Sequence, residues 1–306
     1  MLSSLSRNIY SKIKSALFVP GSQEKMLQKS LDLDPHIIVP DLEDSVPLAK
    51  KHEARILVKS HIMKRSSLNS QAFVFPRINP ITSDLSIADI EELITYETIG
   101  SIHGLVVPKV ETFDEYNAIH QKLTELETKL KVTNKILLKL IIFIESPLGL
   151  LNLKDILSAD RKQSSRIIAT AFGVEDFCES FQIPRSQNLK EIEVARSLFA
   201  LNSAAFGVLA LDTPFVEFKN EKGLIEEIKY IRSLGFKGKF AIHPSQIAAI
   251  NKYFSSGEKE IEEAKKIVEA FEKALKEGKA AIEVDDNMVD IPVYKRALNI
   301  LERNKS

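Results

Sequence analysis

Residues 138–145, Leu138-Lys139-Leu140-Ile141-Ile142-Phe143-Ile144-Glu145, are the stretch on which the fold turns. The apolar residues do not alternate with polar ones, as they would in a strand with one wet face. A continuous run closed by a charge suits a strand buried on both faces of a parallel sheet. The pattern recurs outward in both directions. Upstream lie Ala16–Val19, Ile37–Val39, Ala72–Phe75 and Gly104–Val107; downstream lie Ile167–Ala171, Val208–Leu211 and Phe240–Ile242. Between them, Lys50–Lys59, Leu85–Tyr96, Phe113–Lys131 and Lys190–Ala205 read as amphipathic helices. Eight strands alternating with helices predict an α/β fold, the (β/α)8 TIM barrel, over residues 16–253. Residues 254–306 then form a C-terminal helical extension that could serve as a lid. It holds a charged helix near Glu258–Lys276, a turn around Glu277–Ala280 and a last segment, Asp285–Lys305. A doubly wound open sheet is the alternative. Its usual fingerprint is missing, because Pro20-Gly21-Ser22 follows the first run where a G-x-G-x-x-G would stand.

Composition narrows the classes of function. The 306 residues include 42 Lys+Arg against 42 Asp+Glu, with 44% hydrophobic and 27% charged residues. That apolar share can bury a large core and excludes disorder along the whole chain. Zero net charge argues against nucleic acid as the main partner, because phosphate backbones demand a basic excess; a local phosphate site stays open. Cys178 is the one cysteine, so an intramolecular disulfide and a cysteine-based zinc cluster are both excluded. No apolar run approaches the roughly 18 residues that a membrane-spanning helix needs. Residues 1–15 carry Arg7, Lys12 and Lys14, several serines and no acid, with Leu2, Leu5, Ile9 and Ile13 at helical spacing. This is the composition of a mitochondrial presequence. A short frayed terminus of a cytoplasmic protein is the other reading.

The chemistry stands at the strand ends. Asp41-Leu42-Glu43-Asp44 follow the second run, Arg77 and Asn79 the third, and Lys109 and Glu111 the fourth. Glu145 follows the fifth, Glu175 and Asp176 the sixth, Asp212 the seventh and His243 the eighth. A barrel brings all eight C-terminal ends to one face, where its active sites lie. Carboxylates crowded there repel one another, and a divalent cation relieves this; oxygen ligands favour Mg2+ or Ca2+ over zinc. Each residue also has a plainer role open to it. Glu145 could cap the helix opened by Ser146-Pro147, and Glu175 and Asp176 a short helix of their own. Arg77 could be a structural partner of Glu43 or Asp44, and His243 a hydrogen-bonded support. Lys25 and Lys29 share a helix face at i, i+4 spacing, as a phosphate grip at the rim or as a solvated basic face.

Several ordered blocks resemble the citrate lyase beta-subunit-like family of the HpcH/HpaI aldolase superfamily. They are ALFVPGS (16–22), VPDLEDSV (39–46), PRIN (76–79), VPKVET (107–112), IESPLGL (144–150), FGVEDF (172–177) and GFKGKFAIHPSQ (235–246). NMVDIPVYKR (287–296) is similar to the tail of the mitochondrial members that cleave citramalyl-CoA. The resemblance implies a homotrimeric, Mg2+-dependent lyase that cleaves a 3-hydroxyacyl-CoA by retro-Claisen chemistry, with no nucleic-acid or membrane partner. Citramalyl-CoA, split to pyruvate and acetyl-CoA, is the implied substrate. Citryl-CoA or malyl-CoA cleavage, a thioesterase and a non-catalytic CoA-binding scaffold are the alternatives. Carried over by motif, Glu145 and Asp176 are the metal ligands, and Asp290 is the catalytic acid/base, offered to a neighbouring subunit. Arg77 binds the reacting group, and Phe18, Lys25, Lys29, Ile242 and His243 line the substrate and CoA site. Glu43 and Asp44 orient Arg77 or water from behind. The sequence departs from these relatives at Phe18, where they carry Tyr, and at Lys14, where Arg is common.

Overall fold

Every apolar run becomes a strand, for the reason its composition suggests. The computed structural model describes residues 9–68, 71–132, 137–186 and 189–303. The strands are β1 (Ser15–Pro20), β2 (Ile37–Asp41), β3 (Phe73–Val74), β4 (Gly104–Val107), β5 (Lys139–Ile144), β6 (Ile167–Phe172), β7 (Leu209–Asp212) and β8 (Gly238–Ala241). All neighbours pair in parallel, in the order β3-β2-β1-β8-β7-β6-β5-β4. Consecutive residues such as Ile37, Ile38 and Val39 are all fully buried. One face packs into the barrel and the next against the helical layer, which is why these runs do not alternate.

The ring closes between β3 and β4 through Arg77. Its backbone bridges Asp41 on one side and Val106 on the other. Val106 N donates to Pro76 O at 2.9 Å, and Ile78 N donates to Val106 O at 3.1 Å. β3 is the short strand because Pro76 interrupts its donors. Inside the barrel, Phe18, Phe143 and Phe240 form one aromatic cluster with ring centroids 4.8–6.1 Å apart.

The surrounding helices follow the amphipathic segments: Lys51–Ser66, Leu85–Leu93, Phe113–Lys129 and Glu193–Ala205. The first of these runs seven residues past its expected end at Lys59, and Val58, His61, Ile62 and Arg65 carry its buried face onward. Phe113–Lys129 opens with a capping box, in which Thr112 accepts from Glu115 N while the Glu115 side chain accepts from Thr112 N.

The chain divides into two compact units. One is Ile13–Asn251, and the other comprises 252–303 with 9–12. The barrel unit includes Ile13, fully buried, and Lys14, whose carbonyl accepts from Lys239 N at 2.7 Å. Most of the presequence segment, residues 1–8, lies outside the described residues. The C-terminal unit is not wholly helical as expected. Between the helices Glu258–Lys276 and Ile291–Arg303 it carries an antiparallel hairpin of β9 (Ala281–Val284) and β10 (Asn287–Asp290). Asp285 and Asp286 make the turn with φ of 48° and 60°. Two left-handed central residues are what a tight hairpin needs, and Asp tolerates that region better than most side chains.

Candidate active site

The loop after β2 is shaped by Asp41, the last residue of that strand. Its carboxylate accepts from Glu43 N at 3.0 Å, and from Ser45 N and Oγ at 3.2 and 2.5 Å, folding the chain back on itself. The same carboxylate takes Arg77 in a two-point contact, Nε to Oδ1 at 2.6 Å and Nη2 to Oδ2 at 2.8 Å. Arg77 Nη1 lies 2.5 Å from Glu43 Oε2 and 3.3 Å from Asp44 Oδ2. The guanidinium stands 4.6 Å over the Phe18 ring. Burial alone would lower the Arg77 pKa, but Asp41, Glu43 and Asp44 outweigh it and raise it. Burial likewise opposes the Asp41 charge, and Arg77 more than compensates, so the Asp41 pKa falls below its ordinary value.

A second polar layer fixes this arrangement to the helices. Lys51 Nζ donates to the Leu42 and Glu43 carbonyls at 2.5 and 2.8 Å and to Asn79 Oδ1 at 2.7 Å. Asn79 N and Nδ2 donate to Asp89 Oδ2, whose other oxygen accepts Arg55 Nε at 2.6 Å. The loops after β2 and β3 are therefore held from behind by Lys51–Ser66 and Leu85–Leu93.

Glu145, the residue after β5, is buried. Its Oε2 accepts from Lys109 N at 2.8 Å. Its carboxyl group rests against Gly173, where a Cβ would stand 2.5 Å from Oε1. Only a residue without a side chain leaves that space. Burial is the main cause that raises the Glu145 pKa, with Glu43 and Asp176 adding to it, and together they push it up to about 8. Glu43 is pushed up to about 7, chiefly by burial, with Asp44 adding to it against the opposing charges of Arg77 and Lys109. Both Glu43 oxygens are buried without a well-directed hydrogen bond, although Arg77 and Lys109 stand at ion-pair distance.

Asp176, in the first turn of Val174–Ser180, completes the group. Lys109 Nζ lies 3.2 Å from Asp176 Oδ1, 3.2 Å from Glu43 Oε1 and 3.8 Å from Asp44 Oδ1. Burial works against the Lys109 charge, and these three carboxylates raise its pKa regardless.

The structure thus brings Phe18, Glu43, Asp44, Arg77, Glu145 and Asp176 to one mouth. It also decides among the plainer roles. Ser146, not Glu145, caps the helix Pro147–Gln163 by accepting from Gly149 N. Arg77 is a structural partner of Glu43 and Asp44, as the plainer reading had it, but Asp41 holds it more closely than either. Asp212 does not reach the mouth. It is buried behind the sheet, where Arg196 and Lys239 contact its Oδ2 at 3.0 and 2.6 Å and share Glu227. Glu175 pairs with Arg185 at 2.8 Å. His243 and Ile242 are exposed at the end of β8; His243 stacks on Phe218 at 4.8 Å and meets Ser245 Oγ at 2.8 Å. Lys25 and Lys29 are both exposed on the short helix Glu24–Ser30. Asp290 belongs to the other unit, where its Oδ1 accepts from Val293 N at 3.1 Å and so caps the last helix.

Three participants escaped the sequence reading: Asp41, Gly173 and the double role of Lys109. Asp41 sits in the same four-residue segment as Glu43 and Asp44, and only its position on the strand distinguishes it. Gly173 had a signal, since it lies between a strand end and an acidic helix start.

Fold and mouth together define a class: a (β/α)8 barrel whose C-terminal face gathers carboxylates around one arginine. The chain belongs to the HpcH/HpaI aldolase/citrate lyase family, whose model matches residues 14–244. Like its relatives it is a carbon–carbon lyase. It is 33% identical to the citrate lyase subunit beta of Haemophilus influenzae, over 96% of this chain and 97% of that one. It is 31% identical to the mitochondrial citramalyl-CoA lyase of Rattus norvegicus, over 98% and 88%. A citrate lyase structure from Burkholderia xenovorans matches with a TM-score of 0.79 at 19% identity, covering 95% and 91% of the two chains. The protein CitE of Mycobacterium tuberculosis, in complex with magnesium, acetoacetate and coenzyme A, matches at 0.71 and 23% identity, covering 95% and 97%. At those identities the two structures bear on the fold alone.

Proposed function

We propose that this mouth cleaves a 3-hydroxyacyl-CoA by a Mg2+-dependent retro-Claisen reaction, with citramalyl-CoA as the substrate. The observation that carries the reading is Glu145, a buried carboxylate pressed against Gly173 with Asp176 and Glu43 facing it. Such a group asks for a cation. Among the described residues no three His, Cys, Asp or Glu side chains form a ready-made metal cage. Mg2+ does not require one, because it is commonly held by one or two carboxylates with water and substrate completing the shell. Glu145 and Asp176 are the residues that would hold it. Bound there, Mg2+ would supply Lewis acidity to a substrate oxygen, worth several kcal/mol in such reactions.

The chain's own groups do the rest. Arg77 presents a fixed positive charge to the substrate carboxylate. Hydrogen bonds to Asp41 and Asp44 engage three of the five guanidinium N–H groups, and Glu43 adds a charge contact at Nη1. A bidentate grip on the substrate would use the remaining N–H groups of Nη1 and Nη2, of which Nη1 already faces Glu43. Phe18, Phe143 and Phe240 make an apolar floor that keeps water from the departing enolate. Phe18 offers no hydroxyl, so orientation there falls to Arg77. We assign proton delivery to the enolate carbon to Asp290 of an adjacent subunit in a homotrimer.

Lys25 and Lys29 are the proposed grip for the CoA phosphates, and Ile242 and His243 the proposed lining of the same substrate site. A Lys25→Ala/Lys29→Ala variant with an unchanged KM would return both to a solvated face. The segment ahead of Ile13 is proposed as a mitochondrial presequence, tested by whether residues 1–12 carry a reporter into mitochondria. The function itself is tested by a coupled keto-acid assay on the purified protein. Pyruvate from citramalyl-CoA is expected, lost in Glu145→Ala and Asp176→Ala. Faster release of oxaloacetate from citryl-CoA would move the assignment to a citrate lyase subunit, the reading favoured by the Haemophilus relative.

A further inference from the structure

We propose that Lys109 is the mouth's own resident cation, whose ammonium binds Asp176 until a divalent ion displaces it. The proposal rests on the reading of Glu145 and Asp176 as metal ligands. Its starting point is backbone geometry. Lys109 has φ of 53°, in the left-handed region that a non-glycine residue enters at a cost. The conformation directs its N–H at Glu145 Oε2, 2.8 Å away. Were that amide the whole requirement, glycine would meet it with no steric cost. The lysine adds a side chain that leaves the same residue toward the other acids. Nζ reaches Glu43 Oε1 and Asp176 Oδ1 at 3.2 Å each and Asp44 Oδ1 at 3.8 Å. One residue therefore touches all four mouth carboxylates, with its amide on Glu145 and its ammonium on the other three.

The two ends differ in mobility. The amide is part of the strand-end backbone and stays with Glu145. The ammonium sits on a flexible four-carbon stem, and the side chain is 37% exposed. Asp176 is equally accessible, at 37%. An Asp176 oxygen engaged by an ammonium is not offered to a metal, and a positive charge a few ångströms away opposes a divalent ion. Metal uptake therefore moves Nζ off Asp176 and onto Glu43 and Asp44, which it already contacts. Lys109 lowers metal affinity while it holds the acids together in the metal-free enzyme. It acts as a positioning residue that makes metal binding reversible.

The test uses Mn2+ as a paramagnetic stand-in for Mg2+, titrated into the full chain and read by electron paramagnetic resonance. Lys109→Gly keeps the left-handed backbone and the amide on Glu145, so it removes the ammonium with little risk to folding. Lys109→Met is the second variant, and Lys109→Arg retains the charge. Both uncharged variants should bind Mn2+ about tenfold more tightly than wild type, because a nearby like charge has been removed. Lys109→Arg should bind as wild type does. Without metal, the uncharged variants should melt at lower temperature, and Mn2+ should raise their melting temperature by more than it raises the wild type's. Unchanged or weaker Mn2+ binding in both uncharged variants, with wild type binding normally, overturns the role of Lys109. A wild type that takes up no Mn2+ overturns the metal reading itself, and this proposal with it.

Discussion

Glu145 carries the largest electrostatic debt of any mouth residue. A carboxyl whose folded pKa lies above its unfolded value binds a proton in the native state that the unfolded chain releases. Its favourable contribution is complete below the unfolded pKa, near 4.5, and is lost as pH rises through about 8. The metal-free protein should therefore lose stability, by roughly 1–2 kcal/mol, between pH 7 and 8.5, beyond the midpoints of Glu43 and the buried His61. Urea titrations across that range check this. Glu145→Gln should flatten most of the slope, and Mg2+ should flatten it in the wild type; a slope unmoved by either would show that the carboxyl is ordinary. Gly173 gives an independent test at the same scale. A Cβ placed there would stand 2.5 Å from the Glu145 carboxyl group and displace it. Misplacement on the order of an ångström costs about a hundredfold in rate. Gly173→Ala should lose about that much kcat while melting close to wild type, and a fully active variant would remove Gly173 from the site.

At the scale of elements, the mouth depends on two helices that hold its loops from behind. Asp89, on Leu85–Leu93, receives Asn79 from the loop after β3 and Arg55 from Lys51–Ser66. Asp89→Ala would strand the buried Arg55 charge and leave Asn79 without its acceptor. Breaking one partner of a buried pair costs about 3–5 kcal/mol. The expected result is a loss of that order in chemical denaturation, with reduced kcat in the protein that remains folded. A loss within ordinary surface values, under about 0.5 kcal/mol, would mean that Lys51 alone fixes the loop. The network of Arg196, Asp212, Glu227 and Lys239 serves the far side of the barrel in the same manner, tying β7 and β8 to their helices.

For the whole molecule, the test concerns the proposed work of Asp290 in a neighbouring subunit. In its own unit it caps the helix Ile291–Arg303, a role that occupies Oδ1. If it also serves a neighbouring subunit, Asp290→Ala and Glu145→Ala proteins, each inactive alone, should regain part of the activity when refolded together. Confirmed mixed oligomers without recovery would confine Asp290 to capping. Asp290→Asn separates the two roles further. Asn also caps helices, so stability should hold within about 0.5 kcal/mol while turnover falls.

Strand identity was legible along the chain because parallel strands buried on both faces need unbroken apolar runs, and Leu138–Ile144 is such a run. Which acids gather at the mouth was largely legible too. Glu145 follows β5 directly, Glu43 and Asp176 lie within four residues of the ends of β2 and β6, and barrel closure brings strand ends together whatever the loops do. The hairpin of β9 and β10 was not legible. Its residues are mostly exposed, so no buried face imposes a period on them. Nor could order along the chain assign Asp212 and Asp41. Both end strands, yet Asp212 faces Arg196 and Lys239 behind the sheet, while Asp41 turns inward to hold Arg77. Side-chain direction depends on the register of each strand within the closed ring, and ion-pair choice depends on which charges that ring brings within about 4 Å. Lys109 is the clearest case. Its residue type and place after β4 are written in the sequence. Its left-handed backbone, with the amide on one carboxylate and the ammonium on three others, exists only once four separate strand ends have been drawn to the same point.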